Sequence, residues 1–339
     1  MGNFCLRRER NNNETMNIVW QGPNSDCETP IYRHNIFNNP ERGDQLYLNP
    51  SPQIKTLQDL WLSKIRDIPE GEFLGSRKIL PDGKRDPEFT WMKNADLFET
   101  ATNLGKGMYA LDLVPEIREY KDYNLRMVAI YSKNSPEWIT IDAACIFYGV
   151  TSVPIYDTLG EEATKFMFAQ TNLTTLFLTT PHLKGIVDLI KSNKHAALRN
   201  LVIIDEENMD VEMTYLLTDM NSMHRDPINS FTFSEVLNAG KKFQMSFLPE
   251  VKPDDVYTFC YTSGTTGEPK GAMVTHKNML SSSTPPTFYP RKEGDKQKKG
   301  EVETYYLSYL PLAHIMERNN LHRTVSDGNG HYGMFSGDI

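Results

Sequence analysis

The segment Tyr261-Thr262-Ser263-Gly264-Thr265-Thr266-Gly267-Glu268-Pro269-Lys270-Gly271, which directly follows the apolar run Val256-Tyr257-Thr258-Phe259-Cys260, has the residue types needed to hold a phosphate. Its glycines allow positive φ and a close approach of ligand to backbone. The hydroxyls of Thr262, Ser263, Thr265 and Thr266 can converge with successive backbone N–H groups on one anion, and Lys270 supplies the counter-charge. The spacing is not that of the P-loop ATPases, because Lys270 follows a Glu-Pro pair and no Lys-Ser or Lys-Thr opens a helix after it. A Gly/Thr-rich surface turn is the plain alternative.

Other reactive residue types say less by themselves. His314 follows a strand-like stretch, Tyr305 to Leu310, and a turn at Pro311, a context in which a histidine is ordinarily a core residue with one hydrogen bond. His276 is expected to cap or pack the element after the loop. The four cysteines, Cys5, Cys27, Cys145 and Cys260, form no CxxC pair and no metal-site spacing. Cys145 and Cys260 sit in apolar runs as small buried hydrophobes, and a reduced compartment, the cytosolic side of the cell, suits all four.

The elements that must position these groups are legible as periodicity. Leu57, Leu60, Trp61 and Ile65 fall at helical spacing, as do Ala95, Phe98, Ala101, Leu104, Met108 and Leu111, and both stripes read as packing faces. From Arg126 the chain alternates. Met127 to Tyr131 is a strand, and Ser135 caps a helix whose first turn holds Pro136 and Glu137. Ser152 to Tyr156 is a strand, a helix runs from about Glu161 to Gln170, and Thr175 to Leu178 is again a strand. A helix from His182 to Ser192 and a strand at Leu201 to Ile204 continue the series. Such alternation with short joins specifies an α/β fold, a largely parallel sheet flanked by helices. Asp205 to Arg225, acidic and Met-rich without a clear period, reads as a surface excursion. Pro290 to Gly300, with five basic residues among acidic ones, reads as a solvated loop.

Composition bounds the rest. At 339 residues, 24% charged and 39% apolar, the chain is of globular type. A net charge of −8 gives no general attraction to nucleic acid, and no nucleic-acid partner is expected. No run reaches the roughly eighteen apolar residues of a membrane span. The nearest, Ile139 to Val150, is interrupted by Asp142, so no transmembrane helix is expected. The N-terminus offers another route to a membrane. Myristoylation of Gly2, palmitoylation of Cys5 and lipid contact by Arg7, Arg8 and Arg10 would together anchor the chain peripherally, although Leu6 stands where the acylation pattern wants Ser or Thr. A frayed polar tail is the alternative.

The phosphate-loop segment resembles that of the adenylate-forming enzymes. Three further stretches narrow the resemblance to the long-chain acyl-CoA synthetases: Tyr131-Ser132-Lys133-Asn134-Ser135-Pro136-Glu137-Trp138, Val153-Pro154-Ile155-Tyr156-Asp157-Thr158-Leu159-Gly160, and Tyr309-Leu310-Pro311-Leu312-Ala313-His314-Ile315-Met316-Glu317-Arg318. The resemblance covers nearly everything from Leu57 to Ile339. It implies a fatty acid–CoA ligase that uses ATP, Mg²⁺ and coenzyme A and works in the cytosol or on the cytosolic face of a membrane such as the endoplasmic reticulum. By similarity, Ser263, Gly264, Thr265, Thr266, Gly267 and Lys270 would hold the β and γ phosphates. Thr262 would lie at the metal ion, and His314 beside the reacting carboxylate as the catalytic residue.

Set against that family, residues 1–55 read as an irregular leader and 56–339 as the N-terminal part of the adenylation domain. The family's metal-binding glutamate, ribose-binding aspartate and small C-terminal domain are absent. A parallel sheet ending there is expected to expose apolar strand edges. Asn319 to Gly330 also departs from the family's apolar helix, leaving only Leu321 and Val325 to bury, as a misread gene segment or a loosened helix would. A catalytically incomplete nucleotide- or acyl-binding protein, a truncated gene model of the ligase, and an adenylating enzyme for a different acid are the alternative readings.

Overall fold

The computed structural model describes residues 18–21, 31–34, 53–119, 123–156, 160–192, 197–223, 227–263, 269–283 and 303–335. The lipidation signals at Gly2 and Cys5, as well as Cys27 and the basic stretch Pro290 to Gly300, lie outside them. Within the expected irregular leader, β1 (Ile18–Gln21) and β2 (Ile31–His34) form an antiparallel pair, so that expectation is corrected for these residues. Helix α1 (Leu57–Asp67) starts in a capping box: Asp59 N–H donates to Thr56 Oγ1 at 3.0 Å and Thr56 N–H to Asp59 Oδ2 at 3.0 Å.

After β3 (Glu72–Ser76) and β4 (Thr90–Lys93), helix α2 (Asn94–Ala110) buries Leu97, Ala101, Leu104 and Met108. Strands β5 (Glu116–Glu119) and β6 (Tyr123–Tyr131) lead to α3 (Pro136–Tyr148). Ser135 caps that helix, its Oγ accepting from Trp138 N–H at 3.1 Å. Every residue of α3 from Trp138 to Tyr148 is buried, so the longest apolar run of the sequence is the central core helix. It ends at Gly149, φ 62°, a left-handed conformation that glycine adopts without a Cβ penalty and that turns the chain into β7 (Thr151–Pro154).

Helix α4 (Glu161–Thr171), β8 (Thr175–Leu178), α5 (Thr180–Lys191) and β9 (Asn200–Ile203) follow as the alternation predicts. The expected excursion at Asp205 to Arg225 is instead a short 3₁₀ turn and a helix, α6 (Val211–Met223). It lies against α5, and burial of Leu217 and Met220 is too sparse to leave a readable stripe. Next come β10 (Asn229–Thr232), α7 (Phe233–Lys242), β11 (Val256–Ser263), β12 (Pro269–Thr275) and α8 (His276–Ser283). The described chain closes with β13 (Thr304–Ser308), α9 (Ile315–Ser326) and β14 (Gly330–Met334).

The main sheet has the order β10-β9-β8-β6-β7-β11-β12, with β5 beside β6. From β10 through β11 all neighbours are parallel, and only the β11–β12 and β5–β6 pairs are antiparallel. Alternate residues feed two cores: Val128, Ile130, Phe177 and Val202 on one face, Met127, Ala129, Leu176 and Leu201 on the other. Burial on both faces is the mark of a parallel sheet covered by helices. A smaller sheet, β13-β14-β3-β4, packs into the first core through Phe73, Leu74, Tyr332 and Met334. The α/β expectation therefore holds, with two sheets.

Candidate active site

Because β6, β7 and β11 are parallel neighbours, their carboxyl ends share one edge of the main sheet. Open α/β sheets bind ligands outside that edge. Strand β11 reaches it at Ser263 and the chain returns antiparallel as β12, with Thr262 opposite Lys270 and Ser263 opposite Pro269. Thr262 and Lys270 are both exposed there. Gly264, Thr265, Thr266 and Gly267, and the side chain of Ser263, lie outside the described residues. The loop thus joins two strands rather than a strand and a helix, in keeping with its departure from the P-loop pattern.

His314 arrives at the same edge from the other sheet. Its N–H donates to Pro311 O at 2.8 Å, closing a turn, and its Nδ1 accepts from Met316 N–H at 3.1 Å, so the imidazole is the N-cap of α9. A neutral imidazole that accepts at Nδ1 carries its proton on Nε2, which makes the exposed ring a hydrogen-bond donor. The ring meets Tyr156 edge-on, centroids 6.3 Å apart. Tyr156 lies beyond the end of β7, as many residues past Ser152 as Thr262 lies past Thr258, and Ser152 and Thr258 are the paired residues of β7 and β11. Through Tyr156, two residues past the end of β7, His314 thus lies at the carboxyl end of the strand that neighbours β11.

Asn134, just beyond β6, holds the segment that leads to His314. Its Nδ2 donates to Leu310 O at 2.7 Å and to Ser308 Oγ at 3.0 Å, and its Oδ1 accepts from Leu312 N–H at 2.7 Å. The Tyr131–Trp138 stretch, singled out in the sequence without a role, thereby meets the Tyr309–Arg318 stretch.

Beneath this edge is a buried polar network that sequence reasoning did not find. Arg318, one turn along α9 from His314, is 0% exposed; its Nη1 donates to Thr258 Oγ1 at 2.5 Å and its guanidinium lies 5.6 Å from the Tyr257 ring centroid. Trp61 Nε1–H donates to His322 Nδ1 at 3.2 Å, which leaves His322 Nε2–H for Tyr257 Oη at 3.1 Å; Tyr257 in turn donates to Asp142 Oδ2 at 2.6 Å. Ser152 Oγ donates to Asp142 Oδ1 at 3.2 Å. Glu317, also fully buried, accepts from Tyr306 and Tyr332 at 2.8 and 2.6 Å.

Burial raises the Asp142 carboxyl, opposed by the Arg318 charge and by the Tyr257 and Ser152 hydrogen bonds. Burial, reinforced by the Arg318 charge, pushes His322 down to about 3; burial alone carries His276 down to about 4 against the pull of Asp59. His276 is the first residue of α8, its ring 5.7 Å from that of Tyr257, and it packs rather than facing the site edge. The out-of-pattern stretch Asn319 to Gly330 is likewise corrected. Residues 315–326 form a helix, and besides Leu321 and Val325 it buries Arg318, His322, Thr324 and Ser326. The one signal that pointed here was Asp142, since an acid inside an apolar helix must find buried partners.

Among the described residues no group of three or more His, Cys, Asp or Glu side chains could hold a metal ion. A magnesium ion at the edge would be carried mainly by nucleotide phosphates and water, with the exposed Thr262 hydroxyl as an oxygen ligand and the Lys270 ammonium, which has no lone pair, on the phosphates instead.

The fold is that of an adenylation domain. The chain superposes on the adenylation domain of a carboxylate reductase from Mycobacterium chelonae with a TM-score of 0.65 at 20% identity, covering 84% of this chain and 43% of that one. It matches the AMP-binding enzyme family over residues 84–329 and belongs to that family. It is 32% identical to peroxisomal long chain acyl-CoA synthetase 6 of Arabidopsis thaliana, over 85% of this chain and 36% of the relative. It is 27% identical to long-chain-fatty-acid–CoA ligase 5 of Rattus norvegicus, over 88% of this chain and 40% of the relative. The chain thus spans well under half the length of these curated relatives.

Proposed function

We propose that the chain carries the ATP- and carboxylate-binding part of a long-chain fatty acid–CoA ligase, with residues 56–339 as the N-terminal portion of its adenylation domain. The observation that supports this reading is that the Thr262/Lys270 hairpin and the His314 cap meet at one carboxyl edge of a parallel sheet in an AMP-binding enzyme. In the first step a fatty acid carboxylate oxygen attacks the α-phosphorus of ATP, forming a P–O bond as the bond to pyrophosphate breaks. In the second, the coenzyme A sulfur attacks the acyl carbon, the thiol proton goes to solvent, and AMP leaves with the electron pair.

Lys270 would neutralise the β and γ phosphates, and Ser263, Gly264, Thr265, Thr266 and Gly267 would surround them. Thr262 would be the residue of this chain at the magnesium ion, which when bound spreads the charge of the phosphates. His314, donating from Nε2, would orient the carboxylate or meet developing charge at phosphorus; a fixed donor of this kind acts without reorganising during the reaction. The enzyme would work in the cytosol, with peripheral attachment to a cytosolic membrane face through acyl groups on Gly2 and Cys5 as the second reading. An unmodified mass for the native N-terminal peptide would remove the anchor. Among the described residues no helix is long and apolar enough to cross a membrane.

Calorimetric titration of the purified chain with Mg-ATP tests the nucleotide reading. Binding is expected, and Lys270→Ala is expected to weaken it about tenfold or more, the usual worth of a hydrogen bond to a charged group. A folded chain that does not bind Mg-ATP defeats the proposal. Pyrophosphate release by a longer form of the protein with a panel of acids then decides the substrate class, and preference for a short or aromatic acid would overturn the long-chain assignment.

A further inference from the structure

We infer that Asn134 is a positioning residue that sets the orientation of the His314 imidazole; the value of that orientation to the reaction rests on the function proposed above. Asn134 is itself rigidly held, lying between the end of β6 and Ser135, the side-chain cap of α3. From there its amide reaches into the other sheet and makes three hydrogen bonds to one short segment, at Ser308 Oγ, Leu310 O and Leu312 N–H. Both amide protons are used, and the planar side chain fixes the direction of each bond. Two residues beyond Leu312 is His314, and the intervening turn is closed by the 2.8 Å bond from His314 N–H to Pro311 O. A shift of Leu310 to Leu312 is therefore passed on to the α9 cap with little slack.

No other side chain of the described residues makes three hydrogen bonds to this segment. An aspartate at 134 would keep the bond from Leu312 N–H but lose both donations and set a carboxylate against Leu310 O. Alanine would lose all three. The segment would then be held by its own backbone turn, the end of β13 and the burial of Leu312 and Ala313, with no side-chain amide fixing its direction, and the bond from Met316 N–H to Nδ1 would no longer be enforced.

Nitrogen-15 NMR of the histidine rings in the full chain tests the assignment directly, without reliance on catalysis. In the native chain His314 is expected as a single neutral tautomer with the proton on Nε2. In Asn134→Ala this is expected to give way to a mixture of both tautomers, while the rings of His276 and His322, fixed by their own packing, keep their signals. Asn134→Asp should lie between, and it decides the matter if the alanine variant does not fold. An unchanged His314 in the variants overturns the proposal. So does equal movement of all three histidines, which would make Asn134 a general packing residue. Adding Mg-ATP and palmitate to the native chain separates the two readings: if His314 does not respond, its substrate role falls, while the control of its tautomer by Asn134 is judged on the ligand-free spectra alone.

Discussion

Arg318 concentrates the energetic stakes of single residues in this molecule. A fully buried guanidinium is tolerable only with partners, and here Nη1 has the Thr258 hydroxyl and the group as a whole the Tyr257 face and the field of Asp142, while Nε and Nη2 have no hydrogen-bond partner among the described residues. Removing one member of such a set leaves an uncompensated buried charge, which typically costs about 3–5 kcal/mol. Arg318→Met is accordingly expected to lower the urea unfolding free energy by roughly that amount. Combining it with Asp142→Asn should return part of the loss, because no bare carboxylate then remains. Equal losses in the single and double variants would show that the two charges do not depend on each other. None of this could be read from the sequence, since Trp61 and His322 lie 261 residues apart and a lone acid in an apolar run names no partner. Thr262, Lys270 and His314 stood out as candidates because glycine, hydroxyl and lysine in one short stretch have few other uses, and because the Pro-Leu-Ala-His context resembles a family.

Among the elements, legibility followed the depth of the buried face. Helix α2 shows a full stripe, and α3 declares itself by being apolar all round. Helix α6 presents too little buried surface to leave a period. Helix α9 hides its buried face for the opposite reason: that side is polar, and Glu317, Arg318 Nη1 and His322 find partners across the core while Arg318 Nε and Nη2 and Ser326 Oγ have none among the described residues. Close approach between helices gives a sharp test. A Cβ built on Gly240 of α7 would stand 1.7 Å from Asn103 O of α2, and one on Gly107 of α2 would stand 1.9 Å from Val236 O of α7. Backbone cannot yield as a side-chain tip can. Gly240→Ala should force the two helices apart and cost about 2 kcal/mol or more, within the usual range for overpacking. Gly185 of α5 is the control, with nothing within 4 Å of a built Cβ. Gly185→Ala should stabilise by up to about 1 kcal/mol, the helix-propensity difference between the two residues. Denaturant midpoints of the two variants should move in opposite directions.

At the scale of the whole molecule the buried histidines set the response to acid. His276 and His322 have an ordinary value of 6.5 when unfolded and about 4 and 3 when folded, so between these limits the unfolded chain binds more protons than the folded one. Stability therefore falls as pH drops below 6.5, with each histidine contributing a slope of about 1.4 kcal/mol per pH unit. Asp142, raised by burial, works the other way from its ordinary 3.8 upward and offsets part of the histidine slope. Unfolding measured at intervals from pH 6.5 downward should show the decline, and His322→Gln should remove about half of it. A flat profile would mean that these rings are not held neutral in the core.

The hydrogen bonds from Trp61 through His322 and Tyr257 to Asp142 run in one direction, because an indole can only give and a carboxylate can only take. Such a chain admits one arrangement of its protons, and it draws its members from α1, α9, β11 and α3. A copy of α9 docked one turn out of place would strand a donor at one end and an acceptor at the other, deep in the core. The network thus works as a lock on assembly, rejecting a wrong seating of the helix that carries His314 more strongly than it rewards the right one.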